Sequence, residues 1–112
     1  MSYKIKSRIW IEANNNVLLG EGRVQLLKAI QNTGSLSKAA KSLNLSYKKA
    51  WQLLDSINKS AKKPVTINSI GGKGGGGAQI TEYGILLIGI FDEINKNCWS
   101  FLDEQLEKIK DL

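Results

Sequence analysis

Residues 35–51 read Ser35-Leu36-Ser37-Lys38-Ala39-Ala40-Lys41-Ser42-Leu43-Asn44-Leu45-Ser46-Tyr47-Lys48-Lys49-Ala50-Trp51, and the architecture follows from them. Ser35 or Ser37 can cap a short helix in which Leu36, Ala39, Ala40 and Leu43 share one apolar face. Two alanines on that face let a second helix cross closely. Asn44 tolerates the left-handed backbone that a tight helix-to-helix turn requires. Ser46 then caps a helix running to about Lys59, with Ala50, Leu53, Leu54 and Ile57 on one side and Lys49, Gln52, Ser56 and Lys59 on the other. Two helices joined in this way predict a helix-turn-helix.

Upstream, Val24, Leu27 and Ile30 recur at helical spacing, Leu26 broadens the stripe, and Asn32-Thr33-Gly34 ends it, which predicts a preceding helix from Glu21. Before that helix, Ser7 to Ala13 alternates polar and apolar residues, Asn14-Asn15-Asn16 supplies turn chemistry, and Val17-Leu18-Leu19 resumes an apolar run. This reads as a β-hairpin. On the other side Pro64 stops the helical region and Val65 to Ile70 alternates as a strand. Gly71 to Gly77, interrupted only by Lys73, leads to a return strand Ala78-Gln79-Ile80. Thr81, followed by Glu82, opens a last helix. Tyr83, Leu87, Ile90, Phe91, Ile94, Cys98, Leu102, Leu106 and Ile109 sustain its apolar stripe over up to about thirty residues, more than one small domain covers. The expected fold class is α+β, mostly helical: a winged helix-turn-helix with an N-terminal β-hairpin and a long C-terminal dimerisation helix. Residues 1–80 are expected to form the winged helix-turn-helix domain that would bind DNA, with its hairpin, and residues 81–112 a dimerisation element of the same domain.

A chain of 112 residues is the size of one domain, and 42% apolar with 23% charged residues is the composition of a folded protein. The net charge of +6 is unevenly spread. Residues 1–80 hold 13 Lys and Arg against 3 Asp and Glu, whereas residues 81–112 hold 3 against 7. The basic part suits a polyanion and the acidic part does not. Cys98 is single and the start of the chain lacks a secretory pattern, so a reducing cytoplasm is expected. The longest apolar stretch, Tyr83 to Phe91, is about half of what a helix needs to span a bilayer, so no membrane partner is expected. The sequence has no His and no Cys cluster. The usual zinc sites and His-based catalysis are thereby excluded, and neither a metal site nor a catalytic residue is expected.

In a winged helix-turn-helix the helix after the tight turn enters the DNA major groove with its amino-terminal, polar face. Tyr47, Lys48, Lys49 and Gln52 are the candidates here. Lys can donate to guanine or to phosphate and Gln can pair with adenine. Ser46, with Ser35 and Ser37 on the supporting helix, stands at helix starts that favour phosphate oxygens. The competing reading is an ordinary solvated helix face. Gly-Gly-Lys-Gly could suggest a nucleotide-binding loop, but Lys73 is followed by Gly74 rather than by the Ser or Thr that holds magnesium. A wing tip in which Lys73, Gly74 and Gly75 approach the sugar-phosphate chain fits better, against a plain flexible turn. Lys62 and Lys63 add backbone contacts or form a solvated charge run. Trp51 is expected in the core, since duplex DNA offers no unstacked base to receive it. Trp99, Phe101 and Leu102 lie beyond the reach of the small domain. A two-fold interface is expected from Ile9, Trp10, Phe91, Ile94, Cys98, Trp99, Leu102 and Leu106.

Thr33 to Lys41, Ser46 to Trp51, and Gly71 to Ala78 with Thr81 and Gly84 together resemble the amino-terminal DNA-binding domain of the ModE family of molybdate-responsive transcriptional regulators. The resemblance covers roughly Leu26 to Leu87. It implies a LysR-like winged helix-turn-helix that dimerises on a dyad-symmetric operator of double-stranded DNA, linked to molybdate or metal-oxyanion metabolism. Lys48 and Lys49 stand where the family has basic recognition-helix residues, frequently arginine, and lysine lacks the planar fork of bidentate guanine recognition. Family members that sense molybdate do so through carboxy-terminal oxyanion-binding domains, for which 112 residues leave no room. No cofactor is therefore expected in this chain, and a separate effector-sensing protein is one possible partner. The alternative is a winged-helix protein-interaction module acting through the long C-terminal helix.

Overall fold

The structure, a computed structural model, describes residues 2–69 and 77–112. Strands β1 (Trp10–Ala13) and β2 (Asn16–Gly20) form an antiparallel hairpin, followed by helices α1 (Glu21–Thr33), α2 (Leu36–Ser42) and α3 (Tyr47–Ser60). Strands β3 (Thr66–Ser69) and β4 (Gly77–Ile80) form a second antiparallel hairpin, the wing, and helix α4 (Glu82–Gln105) closes the chain with a 3-10 turn over Leu106–Lys108. The fold is the expected one, mostly helical α+β with a winged helix-turn-helix and a long last helix. The α-helical part of that last element ends at Gln105, short of Ile109.

The local signals account for the element boundaries. Asn14 and Asn15 carry φ of 55° and 66°, the left-handed pair that a two-residue hairpin turn demands. The β1–β2 register slips between Ile11 and Glu12, so that Leu18 is an extra residue on β2. That bulge lets consecutive Leu18 and Leu19 both enter the core, which strict alternation forbids. Gly34 ends α1 at φ 70°, its N–H donating to Ile30 O at 2.7 Å. Ser35 Oγ accepts from Lys38 N, Asn44 turns the chain at φ 57°, and Ser46 Oγ accepts from Lys49 N at 3.0 Å.

Helix α1 is central, with buried residues on two sides. Val24 and Leu27 join Leu18, Leu19, Ile57, Val65, Ile88 and Phe91 in one cluster. Leu26 and Ile30 join Ala39, Ala40, Ala50 and Ala78 in the other, where three alanines bring α2 and α3 close to α1. Arg23 leaves α1 partly covered and donates to Ser56 Oγ at 3.0 Å; desolvation lowers its pKa from the usual guanidinium value.

Residues 2–9 form an extended arm ahead of β1, with Tyr3, Ile5, Ser7 and Ile9 half-buried and their neighbours exposed. Tyr3 Oη donates to Leu112 O at 2.7 Å and Ser7 Oγ lies 3.4 Å from Cys98 Sγ, so the arm is tied to the C-terminal half of the molecule. The molecule measures 60 × 29 × 21 Å. Among the described residues, no helix is long and apolar enough to cross a membrane.

Helix α4 is seated on the wing by Thr81. Its Oγ accepts from Gly84 N at 3.0 Å and donates toward Pro64 O at 2.8 Å, while Thr81 N donates to Val65 O at 3.0 Å. Thr81→Ala loses cap and anchor together. We expect a stability loss of about 1–2 kcal/mol, read as a shift in the urea midpoint at unchanged slope.

Candidate nucleic-acid interface

Helix α3 is held along its core side and at its far end, and what remains uncovered is its amino-terminal and outer face. Ala50 and Ile57 are buried against the core. At the far end Asn58 Oδ1 accepts from Val65 N at 2.8 Å and Asn58 Nδ2 donates to Thr66 Oγ1 at 3.1 Å, which fixes β3 to α3. Ala78 N of β4 donates to Gly34 O at 3.0 Å, which fixes the wing to the turn ahead of α2. Helix-turn-helix and wing are thereby joined by one backbone hydrogen bond and the Asn58 side chain as well as by packing.

Lys48, Lys49 and Gln52 are exposed on the first turns of α3, together with Tyr47. Successive residues of a helix are turned by about 100°, which puts Lys48 and Gln52 opposite the Ala50–Ile57 line and Lys49 beside them. Among the described residues neither Lys48 nor Lys49 is paired with a carboxylate. The ion pairs are Lys28–Asp92, Asp55–Lys59 and Glu107–Lys110, so Asp55 already neutralises Lys59 further along the same helix. Two uncompensated positive charges beside a helix start are suited to an anion.

The serine hydroxyls are partly committed. Ser35 and Ser46 accept backbone N–H groups as caps, leaving each hydroxyl hydrogen to be donated outward, and Ser37 is exposed on the first turn of α2. Lys73, Gly74 and Gly75, expected at the wing tip, lie outside the described residues. Lys63 stands 5.9 Å over the Tyr83 ring, which holds its charge on the α4 side.

Two expectations are corrected. Trp51 is not in the core: it is 51% exposed, beside Tyr47 at 57%. The indole sits about 100° round the helix from Ala50. The elements that flank it there offer mostly small or polar residues, Ser35, Ser37, Asn68, Gly77 and Ala78, with Leu36 the one large apolar side chain among them, and these line a cleft of about 330 Å³ together with Tyr47, Trp51 and Leu54. Phe91, expected on a two-fold interface, is 2% exposed within the protomer's own core. Of its expected companions, Trp10, Ile94 and Trp99 are exposed, whereas Ile9, Cys98, Leu102 and Leu106 are half-covered. Ile85, Leu86, Ile90 and Phe101 add exposed apolar surface along α4 that sequence periodicity does not separate from the core stripe. Among the described residues, no group of His, Cys, Asp or Glu is arranged to hold a metal ion.

No protein-family model matches the chain. Over 106 residues, 95% of the chain, it is 33% identical to the molybdenum transport protein ModE of Azotobacter vinelandii, of which those residues are 39%. Over 70 residues, 62% of the chain, it is 46% identical to the transcriptional regulator ModE of Yersinia pestis, of which they are 27%. The DNA-binding transcriptional dual regulator ModE of Escherichia coli K12 is 43% identical over 70 residues, with the same coverage of 62% and 27%. The chain thus spans 27–39% of the length of these curated relatives. None of the three is named as an enzyme.

Proposed function

We propose that this chain, a ModE homologue over 95% of its residues, is a non-catalytic reader of double-stranded DNA that regulates transcription as a homodimer on a dyad-symmetric operator. The observation that carries the reading is the outer face of α3, where Lys48, Lys49 and Gln52 stand exposed at a capped helix start with no acidic partner among the described residues. In this reading Lys48, Lys49, Gln52 and Tyr47 meet base edges and phosphates in the major groove, and Ser35, Ser37 and Ser46 donate to phosphate oxygens. Lys73, Gly74 and Gly75, between β3 and β4 in sequence, contact the backbone alongside.

The second protomer is proposed to cover the exposed apolar side of α4, with Ile94 and Trp99 central and Trp10 at the edge. The two α3 helices then meet half-sites one helical turn of DNA, or a multiple of it, apart. The name of one relative, a molybdenum transport protein, points to genes of molybdenum metabolism, and a DNA-reading role is assigned to the cytoplasm. Reading DNA in this way needs no cofactor.

Selection of bound duplexes from a random-sequence pool tests dimer, dyad and reader together. The expected result is convergence on an inverted repeat, bound with a log-affinity against log-salt slope of about −4 or steeper, as two phosphate-bound lysines per protomer require. The uncovered α4 face also supports a second reading, a winged-helix module for protein partners. No enrichment of any duplex at low salt would favour it and overturn the first.

A further inference from the structure

Tyr47 and Trp51 stand one helical turn apart on the flank of α3 that faces the wing, each about half exposed and neighboured in sequence by Lys48 and Lys49. The cleft beside them has Leu54 and Leu36 in its lining, with Ser35 and Ser37 of α2, and Asn68, Gly77 and Ala78 of the wing. A second hollow, lined by Leu54, Asp55, Asn58, Thr66 and Asn68, has the same indole in its wall. Trp51 thus lines both hollows, its indole among mostly small and polar neighbours.

Resting on the DNA reading above, we propose that Tyr47 and Trp51 form an apolar shelf that recognises thymine by its 5-methyl group. Stacked duplex bases give an aromatic ring no face to stack on, and the apolar feature the major groove displays is that methyl. The deoxyribose carbons are the other apolar surface within reach, and touching them carries no sequence information. The position of the pair favours the base edge. Tyr47 is the first residue of α3, and the amino-terminal turns of a recognition helix are the part that reaches bases. The chemistry is complementary as well: the lysines and Gln52 are hydrogen-bonding groups, and none of them offers the apolar contact that a methyl group takes.

The test takes duplexes enriched by the full chain and replaces thymine with deoxyuridine one position at a time, which removes only the methyl. The unaltered protein is expected to lose about fourfold in affinity at one or two positions of each half-site, the factor that one buried methyl corresponds to. Trp51→Gln is expected to bind the thymine and deoxyuridine versions equally while keeping the salt slope of the parent. Equal binding of both versions by the unaltered protein would overturn the shelf. So would a thymine preference that survives Trp51→Gln and Tyr47→Ser, or a Trp51→Gln loss that is uniform over all sequences, the mark of packing on sugar alone. Failure of the underlying DNA reading is distinguishable, because then no duplex is enriched at all.

Discussion

Alanine at both Lys48 and Lys49 is expected to lower affinity for a selected duplex by about a hundredfold per protomer, taking roughly 1.4 kcal/mol, or tenfold, for each ammonium group removed from the DNA. Both side chains are exposed and outside the core, so the variant keeps its fold and the loss is one of binding. The salt dependence should change with it. Each neutralised phosphate contributes about 0.9 to the log–log slope, so removing two lysines flattens it by nearly 2 per protomer. Lys28→Ala is the control for net charge, since Lys28 is paired with Asp92 on the α1–α4 side at 2.9 Å. It should leave affinity within about twofold, as exposed ion pairs contribute little. Fluorescence anisotropy at several salt concentrations separates the cases: a double variant that binds like the parent removes α3 from the interface.

Gly84→Ala is expected to destabilise the protein by about 2 kcal/mol, although alanine is the better helix former by about 1 kcal/mol. A Cβ there would stand 2.6 Å from Val65 O and 2.7 Å from Ile80 Cγ2. The Val65 carbonyl cannot withdraw easily, because it also accepts from Thr81 N. Either α4 lifts from the wing or the strand shifts, and both disturb the buried Val65 in the main cluster. The melting temperature should fall by roughly 8 °C. Gly89 is the matched comparison in the same helix, with nothing within 4 Å of a new Cβ. Gly89→Ala should raise stability by up to about 1 kcal/mol. Equal melting temperatures for the two variants would mean that α4 is not seated against Val65 as described.

The features legible in the sequence are those whose cause lies within a few residues of chain. Gly34, Ser35, Asn44, Ser46 and Thr81 each satisfy or redirect backbone groups three or four positions away, so the ends of the helices are readable from residue type alone. Lys48, Lys49 and Gln52 are readable for the same reason, because their outward direction follows from helical period once Ser46 is the cap. Trp51 is not. Its burial depends on what stands beside α3 in space, and the wing offers it Asn68, Gly77 and Ala78 rather than a large apolar wall. The division of α4 is equally hidden. Phe91 and Ile94 look alike in a periodic stripe, and only the packing of α4 on α1 and of the arm near Cys98 decides which is covered. The bulge at Leu18 belongs to the same class, being visible only once β1 is paired.

The bond from Ala78 N to Gly34 O has a consequence for inheritance and for engineering. Two residues far apart in the chain meet there, so the segment holding α2, α3 and the wing enters and leaves the scaffold at one doorway. Everything proposed to choose a DNA sequence lies inside that segment, and everything proposed to choose a second protomer lies outside it. Such a segment can be exchanged at one chain seam if its core side, with Ile57, Val65 and the alanines against α1, is kept, and a new specificity can then be grafted without redesigning how the protomers meet.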